Sequence, residues 1–254
     1  MSDDAVKKRR REQYDPKAVD RIFRVVQLMH RYHLINPLYY SAAAVLIPPY
    51  YTLLAGLNRL RVYGKDRLPP RGTGFFLLSN HISMVDGQVL SIVTFPRTYW
   101  FPSKASFYRS TTQGLAYLAL TGFKSFPVRR GERDLKSIRL IEDLLKRGES
   151  VLLFPEGTRS KDGTLGKGKV GVGKIVRDSK PVVVPAYVEG FDQIMVHGKA
   201  IPRVGQRAAI QFGYPLDLQD LYDAEPGRAN SRAIVDRVME AITGLRDELH
   251  ERQG

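Results

Sequence analysis

The chain has 254 residues, 43% of them hydrophobic, enough for a sizeable core in one large domain or one domain with an added segment. It contains no cysteine, which excludes disulfides, thiolate catalysis and cysteine-ligated zinc. A formal net charge of +14 suits an anionic partner, and charge alone does not choose among nucleic acid, anionic lipid and anionic substrate.

The first sixteen residues, MSDDAVKKRRREQYDP, are charged and carry no apolar run with a small-residue cleavage site, so no secretory signal is expected. Asp15-Pro16 has the form of a helix start, a capping carboxylate followed by proline in the first turn. Val19, Ile22, Phe23, Val26 and Met29 then recur at helical spacing, with Lys17, Arg21, Arg24 and Arg31 mostly on other faces. Such a helix suits either a membrane surface or the flank of its own domain. The segment that follows favours the membrane. Residues Leu34 to Leu57 form the longest uncharged stretch, long enough to span a bilayer but broken by Pro37, Pro48 and Pro49. Tyr39, Tyr40, Tyr50 and Tyr51 add headgroup-seeking rings, which points to an interfacial or re-entrant segment rather than a true span or a buried hairpin.

From Arg61 the pattern changes to alternating short strands and helices. Phe75–Leu78, Thr98–Phe101, Val151–Phe154 and Val182–Val188 read as strands, with Ala208–Phe212 a weaker candidate. Leu135, Ile138, Ile141 and Leu145 mark a helix closed by Gly148, and the apolar series from Ile234 to Leu249 marks a C-terminal helix. Strands alternating with helices predict an α/β fold, with a mostly buried sheet flanked by helices. The organisation expected is an N-terminal helical, membrane-associating segment over residues 1–60 and an α/β domain over residues 61–254.

The chemically informative residues sit at strand ends. His81 follows the strand Phe75–Leu78, and Asp86 comes five positions later. On one helix, side chains five apart diverge by about 140°. The two can meet only if His81 lies in the turn and Asp86 in the first helical turn. There the carboxylate would accept one imidazole N–H and leave the other ring nitrogen at the strand's carboxyl end, where α/β sheets bind ligands. That arrangement suits a general base for a hydroxyl, and equally a histidine that caps a helix. A second segment, Phe154-Pro155-Glu156-Gly157-Thr158-Arg159, places an acid, a glycine and a guanidinium past another strand. Arginine is a planar, permanently charged fork suited to phosphate, but a Glu–Arg pair also stabilises turns. Between them, Arg129 and Arg130 close the run from Gly122 to Arg130.

Taken together, these segments resemble the glycerolipid acyltransferase family, the 1-acylglycerol-3-phosphate acyltransferases. Asn80-His81 with Asp86 resembles the family's N-H-x4-D signature, and Phe154 to Arg159 its E-G-T-R block. Gly122 to Arg130 is similar to the arginine block, with one extra residue before Pro127-Val128; Arg130 matches its functional arginine better than Arg129. Val183 to Tyr187 resembles the fourth block, an apolar strand with a proline. The four stand in family order across Phe75 to Gly190, about half the chain. The resemblance implies a glycerol-3-phosphate acyltransferase-like fold with a mixed sheet, and acyl transfer from a thioester, acyl-CoA or acyl carrier protein, to the free hydroxyl of 1-acylglycerol 3-phosphate. His81 would be the base and Asp86 its orienting partner. Glu156, Gly157, Thr158, Arg159, Arg130 and Arg129 would form the acceptor site. No cofactor or metal is implied. The same residues would serve another lysophospholipid, a lyso-aminolipid or glycerol 3-phosphate. The chain would sit on the cytoplasmic face of a membrane, peripheral or monotopic, with lipid, the lysophospholipid acceptor and the acyl donor as partners.

Gly166 to Gly171 fits the dinucleotide pattern G-x-G-x-x-G, and Gly168 to Lys174 fits most of a nucleotide phosphate loop. Neither directly follows a strand, and Ile175 stands where the phosphate loop needs Ser or Thr, so the stretch reads as a basic loop that contacts donor phosphates or the membrane, or as a mobile surface loop. His30, His33, His197 and His250 show no metal-ligand arrangement. No recognition helix or aromatic-rich strand marks a nucleic-acid module, so no nucleic-acid partner is expected. A non-catalytic membrane scaffold is disfavoured because His81 and Asp86 are both present.

Overall fold

A computed structural model describes residues 16–31, 45, 49, 56–120, 124–128, 134–196 and 201–253. In chain order the principal elements are α1 (Pro16–Arg31), β1 (Arg59–Tyr63), β2 (Phe76–Ser79), α2 (Asp86–Val93), β3 (Phe101–Lys104) and α3 (Thr111–Leu120). There follow β4 (Ser125–Val128), α4 (Leu135–Lys146), β5 (Val151–Leu153), α5 (Val170–Ser179), β6 (Val183–Glu189), β7 (Arg207–Phe212) and α6 (Arg228–Gln253). They form two compact units, Met1–Ile47 with Trp100–Arg139, and Pro48–Tyr99 with Leu140–Gly254.

The second unit is built on a five-stranded sheet in the order β1-β7-β6-β2-β5. β2 runs parallel to β5 and β6, β7 is antiparallel to β6, and β1 is parallel to β7, which makes the sheet mixed. All four residues of β2 are buried, as are the first six of β6. Continuous burial of this kind belongs to central strands covered on both faces. Pro185 would normally break such a strand, since it has no N–H to donate. It is tolerated because the β6–β7 ladder begins one residue later, at Ala186↔Phe212. Helix α6 packs its buried stripe (Ile234, Val235, Val238, Ile242, Leu245 and Leu249) on β6, β7 and α5.

The first unit holds a two-stranded parallel ladder, β3 with β4, together with α1 and α3. Ala18, Val19, Ile22, Phe23 and Val26 of α1 are buried, and the helix packs on α3 and β4. Its apolar face is therefore taken up by its own unit, not left free for a bilayer, while Arg21 and Arg24 stay exposed. The uncharged run from Leu34 to Leu57 lies almost wholly outside the described residues. No helix among the described residues is long and apolar enough to cross a membrane. The strand expected at Thr98–Phe101 is displaced to Phe101–Lys104, and Tyr99 and Trp100 before it are core aromatics, each 1% exposed.

Candidate active site

The site grows from the carboxyl end of β2. The β2–β6 ladder ends at Ser79↔Ala186. The Asn80 side chain then imitates one more peptide: its Nδ2 donates to the Val188 carbonyl at 2.8 Å and its Oδ1 accepts the Val188 N–H at 2.7 Å. This buried amide fixes where the chain leaves the sheet. His81 follows in the turn, and Asp86 is the first residue of α2.

Asp86 is fully buried, and its Oδ2 lies 2.8 Å from each of three nitrogens: His81 Nδ1, Ile82 N and Ser83 N. The two backbone groups can only donate, so Oδ2 is an acceptor, and His81 Nδ1 must carry the proton it presents. The tautomer is thereby set, and Nε2 is left as the basic nitrogen. Nε2 makes no hydrogen bond among the described residues. Burial pushes the Asp86 carboxyl above the ordinary aspartate range, opposed by the hydrogen bond and charge of His81 and by the two backbone donors. The imidazole also stacks on Phe154, ring centroids 3.9 Å apart and planes 9° from parallel, which restrains ring rotation. Its side chain is only 12% exposed.

The segment after β5 supports the same histidine from behind. Glu156 Oε1 accepts the His81 backbone N–H at 3.1 Å, and Oε2 accepts the Gly166 N–H at 3.1 Å. The Ser160 N–H donates to the His81 carbonyl at 2.7 Å. Both backbone groups of His81 are thus held by the Phe154–Ser160 loop. Burial raises the Glu156 carboxyl above its usual range, against the pull of its two N–H donors. Gly157 takes φ 70 in a turn closed by its N–H to Phe154 O at 3.0 Å, a conformation that side chains resist. A Cβ at Gly166 would lie 2.8 Å from Glu156 Oε2, so a side chain there would make the carboxylate shift. Asp162 secures the next turn. The Thr164 hydroxyl and N–H and the Ser160 hydroxyl all donate to its Oδ1, pulling its carboxyl down to about 2.

Of the acceptor-site residues named from sequence, Thr158 is exposed and Arg159 half-buried. The Arg159 side chain has no hydrogen bond or ion pair among the described residues, and nor do the side chains of the exposed Lys161, Lys167 and Lys169 that follow it. Cationic groups without carboxylate partners therefore border the turn that carries His81. Both oxygens of Glu156 are engaged by backbone amides, one of them that of His81, so the residue holds His81 in place. Arg129 and Arg130 lie outside the described residues. The roles of Asn80 and Phe154 do not emerge from sequence, although both stand inside the matching motifs. The stretch Gly166 to Lys174 is no simple loop, since α5 begins at Val170 and buries Val172, Ile175 and Val176. Its first glycine serves Glu156.

The chain matches the family model described as Acyltransferase over residues 59–189. A chloroplastic 1-acyl-sn-glycerol-3-phosphate acyltransferase of Arabidopsis thaliana is 29% identical over 167 residues, covering 66% of this chain and 43% of that protein. Tafazzin of Drosophila melanogaster is 31% identical over 219 residues, 77% of this chain and 57% of the relative. The 1-acyl-sn-glycerol-3-phosphate acyltransferase of Bacillus subtilis is 28% identical over 193 residues, 76% of this chain and 90% of the relative. The chain thus spans about half the length of the first of these curated relatives, 43% to 57%. The crystal structure of a 1-acyl-sn-glycerophosphate acyltransferase from Thermotoga maritima shares the fold, with a TM-score of 0.55 and 21% identity over 84% of this chain and 96% of that one. With the family model matching more than half of its residues, this chain belongs to the acyltransferase family.

Proposed function

We propose that the protein transfers a fatty acyl group from a thioester, acyl-CoA or acyl carrier protein, to the free hydroxyl of 1-acylglycerol 3-phosphate, giving phosphatidic acid. The observation that carries this is the convergence of two backbone N–H groups and His81 Nδ1 on Asp86 Oδ2, which leaves Nε2 as a positioned base. In the proposed reaction Nε2 takes the hydroxyl proton as the oxygen attacks the thioester carbonyl carbon. The C–S bond then breaks, and the proton passes to the departing sulfur. Asp86 holds the ring and stabilises the imidazolium between the two steps. No covalent enzyme intermediate is required. Arg159, with Arg130 and Arg129, would hold the acceptor's phosphate through charge-assisted hydrogen bonds, and Gly157 and Thr158 would shape the loop that presents it.

The match to Drosophila tafazzin supports a second reading, in which the acceptor is a different lysophospholipid. For its setting, we propose that residues 1–60 hold the acyltransferase domain on an anionic membrane surface. The uncharged run to Leu57 would supply insertion and the exposed Arg21 and Arg24 electrostatic attraction. A panel of lyso-lipids offered with acyl-CoA and acyl carrier protein, with free thiol release followed, tests the proposal. Turnover with 1-acylglycerol 3-phosphate above all other acceptors is expected. No thiol release from any pair would overturn it.

A further inference from the structure

A second group of arginines lies away from His81, on β1 and β7 of the same sheet. β1 and β7 pair in register with Arg59 opposite Arg207 and Arg61 opposite Ala209, and Ala209 in turn lies opposite Glu189 of β6. Partners in register project to the same face, as do residues two apart on a strand. Arg59, Arg207 and Arg61 therefore share one face. They line a cleft of ≈ 190 Å³ whose wall also includes Glu189, Ala209 and Gln253.

Like charges placed directly opposite on neighbouring strands destabilise the pair. Here two guanidiniums are so placed and a third stands two residues on, yet none makes a hydrogen bond or ion pair among the described residues. The carboxylate in the cleft, Glu189, is already engaged. Gln253 Nε2 donates to its Oε1 at 2.8 Å, and His250 Nε2 lies 3.0 Å from its Oε2. Three exposed guanidiniums that line one cleft, with no side-chain partner among the described residues, offer the planar, permanently charged forks that suit phosphate. Glu189 directly follows Val188, whose backbone grips Asn80, so the cleft opens at the same edge of the sheet as His81. Strand spacing puts it about 10–15 Å along that edge.

We propose that this cleft binds a phosphate-bearing anion through Arg59, Arg61 and Arg207, as a site separate from the acceptor phosphate assigned to Arg159. The phosphate belongs either to a membrane lipid headgroup or to a soluble phosphomonoester, and the test distinguishes the two. The full chain carrying Arg129→Ala, Arg130→Ala and Arg159→Ala, which removes the cations assigned to the acceptor's phosphate, is titrated with inorganic phosphate at constant ionic strength set by chloride. Saturable binding is expected, weakened roughly tenfold by Arg59→Gln or Arg207→Gln. Without phosphate, both variants should melt at or above the parent temperature, because repulsion has been removed, which also shows that they fold. Flotation with phosphatidic acid vesicles against phosphatidylcholine vesicles identifies the source. If the variants also lose binding to phosphatidic acid vesicles, the ligand is a headgroup. If only binding of inorganic phosphate is lost, the ligand is soluble. If phosphate and vesicle binding are the same in parent and variants, the arginines are ordinary solvated surface and the proposal is wrong. None of these readouts depends on acyl transfer, so failure here leaves the His81 proposal standing, and the reverse.

Discussion

Replacing Glu156 with glutamine separates a residue that positions the base from one that binds the acceptor. Its carboxylate accepts two backbone N–H groups, from His81 at 3.1 Å and Gly166 at 3.1 Å, and the residue is 7% exposed. Glutamine has one acceptor oxygen and one NH2, so in either rotamer one of those N–H groups faces a donor. A buried donor left unpaired costs about 1–3 kcal/mol. If the lost partner is His81, its backbone relaxes and the ring leaves its position between Asp86 and Phe154, and a shift of about 1 Å in such a group can cost 10²-fold in rate. The expected result for Glu156→Gln is therefore a lower melting temperature and a kcat reduced roughly 10- to 100-fold, with the acceptor KM nearly unchanged. Steady-state thiol release with acceptor varied at saturating donor reads both constants. A near-normal kcat with a raised acceptor KM would mean that Glu156 touches the acceptor, and the positioning role would be refuted. The variant also yields a pH test. A carboxyl whose folded pKa is raised contributes stability that is present below its unfolded value and lost as pH rises through the folded one. The unfolding free energy of the wild type should therefore gain on that of Glu156→Gln as the pH falls towards 4.5, the ordinary glutamate value. A gain in the opposite direction would contradict the burial effect.

Other expectations follow from the same geometry. Asp86→Asn removes the charge that stabilises the imidazolium and should lower kcat by about 10²-fold or more with folding retained; activity within a few-fold of wild type would count against the pair. Arg159→Ala should raise the apparent KM for a phosphate-bearing acceptor by about 10–100-fold and leave the donor KM near wild type, and an equal loss with an acceptor lacking phosphate would reject the assignment. Deleting residues 1–60 removes a helix that packs on α3 and β4, so substituting the exposed Arg21 and Arg24 by glutamine is the cleaner membrane test. Those changes should weaken flotation with anionic vesicles and lower its salt sensitivity, since the uncharged run then carries more of the binding; unchanged flotation would place the anchor elsewhere.

Much of the fold can be read where one physical signal dominates. β2 and β6 are uninterrupted apolar runs, and α4 and α6 carry clear helical periodicity. The missed elements have weak or mixed signals. β1 reads RLRVY, with charges on the face that lines the arginine cleft, and β4 is four residues long and contains a proline. Helix α5 is hidden by Gly171 and Gly173 and by its likeness to a phosphate loop. The need for His81 in the turn and Asp86 at the helix start followed from helical angles alone. The hold of Glu156 on the His81 backbone could not, because main-chain hydrogen bonds leave no mark on side-chain pattern. The same is true of Asn80, whose amide substitutes for a peptide in the ladder, and of the stacking of Phe154 on the imidazole.

The central claim is that His81 Nε2 removes the acceptor's proton, and single-turnover thiol release by His81→Ala tests it most directly. The rate should fall about 10²–10⁴-fold while the melting temperature and acceptor binding stay close to wild type. A folded His81→Ala protein that releases thiol within about threefold of the wild-type rate, in an acceptor-dependent manner, would contradict the account.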